Sequence, residues 1–228
     1  MSRPDTPAAT PGGEGRFDGY DVLAQSPFWD PVTAEVVLDR TRRVPALAFF
    51  SSAEADVARA LLDLMLANHA EPRVPVVEMV DRRLFEGETD GWRYEDMPED
   101  GEAWRRSLRF LDEDARRAFQ AGFAHCTLDQ QGRIVQGVQD SEEWHGLPGK
   151  HVWSLWTRYG CAAFYAHPWA WNEIGFGGPA YPRGYKVLHP GWREPFEVAE
   201  RDAEDPVPWS ERVEQAERAH EVRLGPRR

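Results

Sequence analysis

Seven histidines, two cysteines and an excess of carboxylates are the residues of this chain that could do chemistry. A metal-assisted hydrolase needs ligands at strict spacing, such as two histidines one helical turn apart with a glutamate beside the first, because coordination geometry tolerates little error. His69, His125, His145, His151, His167, His189 and His220 supply no such pair. His145 and His151 stand six apart across a Gly-Leu-Pro-Gly break that leaves their relative geometry open. Nucleophilic catalysis finds no Gly-x-Ser-x-Gly elbow, and neither Cys126 nor Cys161 sits in a glycine-framed turn. Their surroundings read as packed helix, where a free thiol behaves as a small hydrophobe; a disulfide would require the two segments to pack side by side.

Glu173 admits two readings. As a general base beside His167 it would serve a free-standing helical enzyme or a metal site. As a structural group it would pair with Arg183, ten residues on, and close the intervening segment on itself. The scarcity of unpaired buried charge favours the pair. Gly175, Gly177 and Gly178 give GFGG, but no strand precedes it and no helix start follows, so it does not cradle a dinucleotide phosphate. The chain is therefore expected to carry no catalytic constellation, metal or cofactor of its own.

The elements that would position these residues are helical. Asp30-Pro31 is a helix start, with Asp30 as N-cap and Pro31 in the first helical position, and Val32, Val36, Val37 and Arg40 are the expected contact residues. Ser51 and Glu54 form a capping box, followed by an apolar stripe of Val57, Ala60, Leu61, Leu64 and Met65. Pro72 and Pro75 end that helix and open a short one running to Phe85. Residues 86–100 read as an acidic loop carrying Trp92 and Tyr94. From Glu102 to Phe123 the helical period holds, with Asp112 as a candidate restart, so one bent helix and two helices both fit. Thr127 and Gln130 form a second capping box. After Pro148, a stripe of Trp153, Trp156, Gly160, Ala163 and Phe164 has small members that let another element approach closely. No alternating apolar run with hairpin turns is present. The fold class is all-α: a compact helical domain over 17–199, between a disordered Pro/Gly-rich leader at 1–16 and a polar tail at 200–228.

One stretch stands apart. AWNEIGFGGPAYPRGY, residues 170–185, packs four glycines, two prolines and four aromatics into sixteen positions and reads as neither helix nor strand. Its glycines permit positive φ or close backbone contact, and its prolines stiffen the path. Such a loop is either a clamp on the chain's own helices or a preformed surface for another protein, and ten tryptophans in the chain favour the second. A net charge of −12 disfavours a nucleic-acid or anionic-membrane partner. No apolar run reaches the roughly 20 residues of a membrane span, so the chain reads as soluble. The first sixteen residues lack a basic segment followed by an apolar core, and Arg42-Arg43 leads into a short apolar run and an acidic helix. The expected location is the cytoplasm.

HPWAWNEIGFGGPAYPRGY, preceded by CAAFYAH, resembles the C-terminal part of the gluconate 2-dehydrogenase subunit 3 family, and PALAFFSSAEADVARALLDLML with VPVVEMVDRRL is similar to that family's opening helices. The resemblance runs from about Phe28 to about Glu197. It implies a small, cofactor-free subunit whose partner is a large FAD-binding subunit of the glucose–methanol–choline type, joined in some complexes by a c-type cytochrome. It also implies that the small subunit stabilises the large one and helps its export. Family members typically begin with a twin-arginine signal. Here a Pro/Gly-rich leader stands in that place, so the alternative location is the periplasm, reached with a partner that carries the signal. Trp171, Asn172, Glu173, Phe176, Tyr181, Arg183 and Tyr185 are the residues expected to form the structural and partner-binding core of the loop.

Overall fold

Several helix starts in this protein are fixed by a side-chain cap at the first turn. The computed structural model describes residues 20–69, 73–186 and 193–197; the leader at 1–16, Pro72, His189, His220 and the tail at 200–228 lie outside them. Asp30 accepts from the amides of Val32 and Thr33 and starts α1 (Pro31–Arg42). In the reciprocal box at α2 (Ser52–Leu66), the Glu54 amide donates to Ser51 and the Ser51 amide donates back to the Glu54 carboxylate. Thr127 and Gln130 do the same at α5 (Leu128–Asp140). Between them lie α3 (Val76–Phe85) and α4 (Asp100–Phe119), and α6 (Gly149–Phe164) and α7 (Pro168–Ile174) follow.

Three expectations need correction, and one open choice is settled. The run after Glu102 is a single helix, and Asp112 does not restart it. Asp112 Oδ1 accepts from the Phe123 amide at 3.0 Å, fastening the 3-10 turn Phe123–His125 that follows. A short antiparallel pair, β1 (Glu143–Trp144) and β2 (Leu147–Pro148), does exist. His145 (φ 51°) and Gly146 (φ 77°) occupy both left-handed positions of the turn between them, the backbone of a two-residue hairpin. On α1 only Val37 is buried, whereas Val32 and Val36 are exposed. Finally, residues 170–174 are helical, the second half of α7.

The main core sits around α6, which packs on α5, α3, α2 and α4. The small residue expected to permit close approach does so: a Cβ at Gly160 would lie 2.9 Å from Leu62 Cδ2 on α2. Trp104 and Trp156 are fully buried, and Trp156 Nε1 donates to Ser107 Oγ at 3.0 Å. Cys126 is buried just past the 3-10 turn and Cys161 is half-buried on α6; both are free thiols. The acidic loop before α4 is held by Met97 in the core and by rings: Tyr94 stacks on His151 at 3.7 Å, Trp92 meets Tyr94 edge-on, and Arg158 lies over Trp92. No helix among the described residues is long and apolar enough to cross a membrane.

A second, smaller apolar cluster contains Val22, Trp29, Val37 and Trp171. It joins the 3-10 segment Val22–Phe28 and α1 to α7. The chain between α1 and α2 is pinned by one fully buried carboxylate: Asp81 of α3 accepts from the amides of Ala48 (2.7 Å), Phe49 (3.1 Å) and Phe50 (2.7 Å). Asp81→Asn turns one acceptor oxygen into a donor facing these amides. It is expected to lower stability by about 2 kcal/mol, measured as a shift of the urea midpoint at unchanged slope; no shift would mean that the segment 48–50 holds its place without the carboxylate.

Candidate functional site

The site is built where the Gly/Pro/aromatic stretch meets the N-terminal segment. Pro168 occupies the first position of α7, and the N-cap is His167, whose Nδ1 accepts from the Trp169 amide at 3.2 Å. His167 Nε2 lies 2.8 Å from the Arg40 carbonyl oxygen, which can only accept, so Nε2 carries the proton. The ring is buried, and burial is the largest cause pushing its pKa down to about 4, with the Arg40 charge adding to it against the bond to the Arg40 carbonyl. His167 is thus a neutral ring with both nitrogens engaged by backbone. The expected alternative, a base or ligand at His167 acting with Glu173, has no free nitrogen to work with.

The far end of α7 is a Schellman stop. Gly175 (φ 69°) donates to the Asn172 carbonyl, and Phe176 donates to the Trp171 carbonyl at 2.9 Å. Three residues later the chain presses on the N-terminal segment: a Cβ at Gly178 (φ 73°) would lie 2.9 Å from both Val22 Cγ2 and Trp29 Cζ2. Only glycine satisfies both the dihedral and the gap.

The seven residues singled out from the sequence divide by side. Trp171 points into the second cluster, with Nε1 donating to the Tyr165 carbonyl at 2.6 Å and Phe176 edge-on at 5.4 Å. Asn172 is buried, and its Oδ1 accepts from the Val22 amide at 2.7 Å. Arg183 does not pair with Glu173 as expected. It donates to Gln25 Oε1 at 2.9 Å and to the Gly177 carbonyl, with Phe196 stacked 3.6 Å from its guanidinium carbon. Glu173 is half-buried on α7. Phe176, Tyr181 and Tyr185 face outward, exposed by 40%, 68% and 52%. Sequence reasoning missed what the stretch holds, namely Tyr20, Val22, Gln25, Trp29 and Arg40. Tyr20 donates to the Phe176 carbonyl at 3.0 Å, and Arg40 donates to the Ala166 carbonyl at 2.7 Å. The short apolar groups Val22-Leu23-Ala24 and Phe28-Trp29 were the sign of this in the sequence.

Elsewhere the candidate groups are dispersed. His145 pairs with Asp114 at 2.9 Å and His151 with Asp96 at 2.8 Å, so the two histidines serve separate carboxylates. Among the described residues no group of three or more His, Cys, Asp or Glu is placed to hold a metal ion. An open groove of about 500 Å³ between α2 and α4 has Val57 and Leu108 on its floor. Several of its charged lining residues are paired, Arg105 with Glu54 at 3.8 Å and Asp112 with Arg116 at 2.7 Å.

Residues 52–178 match the family model for gluconate 2-dehydrogenase subunit 3, more than half of the chain. The chain belongs to the gluconate 2-dehydrogenase subunit 3 family. No curated protein and no solved structure matches it. The match starts with α2 and stops at Gly178, a shorter span than the resemblance suggested. It takes in the main bundle, α7 and its Schellman stop, and leaves out the N-terminal segment that α7 holds. Because the family is named for a subunit of gluconate 2-dehydrogenase, membership implies a dehydrogenase partner for this subunit 3 chain.

The buried His167 gives a pH dependence with a definite sign. Its pKa falls from 6.5 to about 4 on folding, so between those values the unfolded chain binds the extra proton. The stabilisation is complete above 6.5 and is lost as pH falls towards 4. By pH 5 the loss is about 2 kcal/mol. His167→Asn keeps an N-cap acceptor but does not titrate. Urea midpoints at pH 7.5 and pH 5 are expected to fall further for the native chain than for the variant; equal falls would remove His167 as the cause.

Proposed function

We propose that this chain is a non-catalytic accessory subunit that binds and stabilises the FAD-containing catalytic subunit of a sugar, sugar-acid or polyol dehydrogenase. The catalytic subunit would be of the glucose–methanol–choline type, with a c-type cytochrome as a further member of the complex. FAD then belongs to the partner. The cytoplasm, or the periplasm reached with a signal-bearing partner, is where such a complex would work.

The observation that carries this reading is where apolar surface is left uncovered. Among the described residues thirteen large hydrophobics are exposed; five lie within 28–47 and five within 165–185, which leaves only Phe85, Trp92 and Leu128 elsewhere. Phe28, Val32 and Val36 on the N-terminal side and Phe176, Tyr181 and Tyr185 on the other are exposed on the two segments that the second cluster joins. Concentrated apolar exposure marks a surface that another protein covers. The backbone that presents it is stiffened by Pro179 and Pro182, which lowers the entropy lost on docking. Residues 20–47 and 165–186 together contain five acidic and five basic side chains, so the surface is electroneutral on a chain of net charge −12. Two copies would repel through the rest of the molecule, whereas a different protein would not meet that barrier.

Recovered by a tag from the cell that makes it, the chain is expected to bring down a flavoprotein, identified by its flavin fluorescence. The variant Tyr181→Ser, Tyr185→Ser is expected to lose at least nine-tenths of that recovery, since aromatic anchors dominate interface energy (roughly tenfold per 1.4 kcal/mol), while its urea midpoint stays unchanged. Absence of any flavoprotein from the native sample, or turnover of a sugar by the chain alone, would overturn the reading.

A further inference from the structure

The second cluster has an architecture that bears on how the docking surface is maintained. The 3-10 segment and α1 pack on each other and on α7, and with no other helix do they share a comparable interface. Of the three elements α7 alone also reaches the main core, through Ala170, fully buried there, and Trp169 packed against it. Six polar bonds fasten the N-terminal segment to the C-terminal one, among them Asn172 Nδ2 donating to Asp21 Oδ1 at 3.4 Å. Val22 donates to Asn172, His167 to the Arg40 carbonyl, Arg40 to the Ala166 carbonyl, Tyr20 to the Phe176 carbonyl and Arg183 to Gln25. Each joins positions 126 to 158 apart in the chain. The N-terminal segment has a sharp limit. From Ala48 to Phe50 its amides are held by Asp81 of the main bundle, so the only free span between α1 and that anchor is Arg43–Leu47.

We propose that residues 20–43 and 168–186 form a clasp that opens and closes as one cooperative unit while the α2–α6 bundle stays folded, and that closure of the clasp assembles the partner-docking surface. A cluster of four buried side chains must hold about two dozen N-terminal residues against their conformational entropy, whereas the bundle has a core several times larger. Units with few buried apolar contacts sit at the low-stability end of a protein's range of openings. Release of either segment breaks the contacts that the two share, so each holds the other, and release of α7 also gives up Ala170 and Trp169. The docking surface is divided between them, Phe28, Val32 and Val36 on one and Phe176, Tyr181 and Tyr185 on the other. An open clasp therefore presents neither half in register with the other. In this second part the inference rests on the accessory-subunit reading; in the first it does not.

Hydrogen exchange on the full chain, read peptide by peptide, tests both parts. In the native protein the amides of 22–42 and 168–176 are expected to exchange together, at least tenfold faster than those of α4 and α6, with Phe49 and Phe50 following the bundle. Val37→Ala weakens the clasp from the N-terminal side and Asn172→Ala from the other. Each is expected to speed exchange in both segments by about tenfold, the usual effect of losing one buried contact or bond, and to leave α4 and α6 unchanged. Acceleration confined to the substituted segment, or spread equally over α4 and α6, would overturn the cooperative unit. Asn172→Ala touches no exposed residue, yet it is expected to reduce flavoprotein recovery. Unchanged recovery with the expected exchange pattern would overturn the coupling and leave the accessory-subunit reading standing. If the native chain recovers no flavoprotein, that reading and the coupling fall together, and the exchange pattern still decides the clasp.

Discussion

Ala170 and Trp171 are neighbours in sequence, but their side chains are buried in different apolar clusters. On a helix successive side chains diverge by about 100°, so a single turn can serve two cores if it lies between them. That is the position of α7, and the arrangement of residues 20–43 depends on it. A seven-residue helix is too short to be stable alone. It persists here because both faces are covered, its start is capped by His167 and its end is closed at Gly175. Losing either face would leave the helix half-exposed, and the N-terminal segment would then have nothing to rest on.

Much of the bundle was legible because its signals are local. The capping boxes at Ser51 and Thr127 and the Asp30-Pro31 start lie within four residues of the helices they begin, and the structure contains all three. α7 was not legible, for an equally local reason. Its N-cap is a histidine rather than Ser, Thr, Asp or Asn, and its seven residues are followed at once by glycine and proline, so the stretch reads as loop throughout. Asp112 misleads in the opposite direction: an aspartate in a helical run resembles a cap, although its carboxylate serves a turn eleven residues on. The β1–β2 hairpin escaped because two-residue strands show no period and its turn uses His-Gly rather than the usual Asn-Gly.

The clasp was illegible for a different reason. Its bonds join residues more than a hundred positions apart, and no spacing rule connects Val22 to Asn172 or Gln25 to Arg183. The sequence posed the Gly/Pro/aromatic stretch as a choice between a clamp and a contact surface. The structure shows the clamp and leaves other side chains of the stretch exposed. Trp171, Asn172 and Arg183 hold the N-terminal segment, while Phe176, Tyr181 and Tyr185 are turned away from it. Glu173 and Arg183 looked like partners because they were the opposite charges nearest each other in that stretch. In the fold each sits on a different side of the Schellman stop, and the guanidinium is taken up by Gln25 and Phe196.

This division explains why so many glycines and prolines are gathered in a few positions. A loop that only clamped could be flexible at its tip, and one that only presented aromatics could stand off from the body. Doing both requires the backbone to lie against Val22 and Trp29 at Gly178 and then turn its next side chains outward within three residues. Gly178 supplies the close approach and the positive φ, and Pro179 and Pro182 remove backbone freedom on either side of Tyr181, which is exposed and outside the second apolar cluster. An aromatic side chain free to reach that cluster would bury itself there, since burial gains on the order of 2 kcal/mol. The tyrosines instead stay exposed on a stiffened backbone, and a surface held in that way is available to another protein.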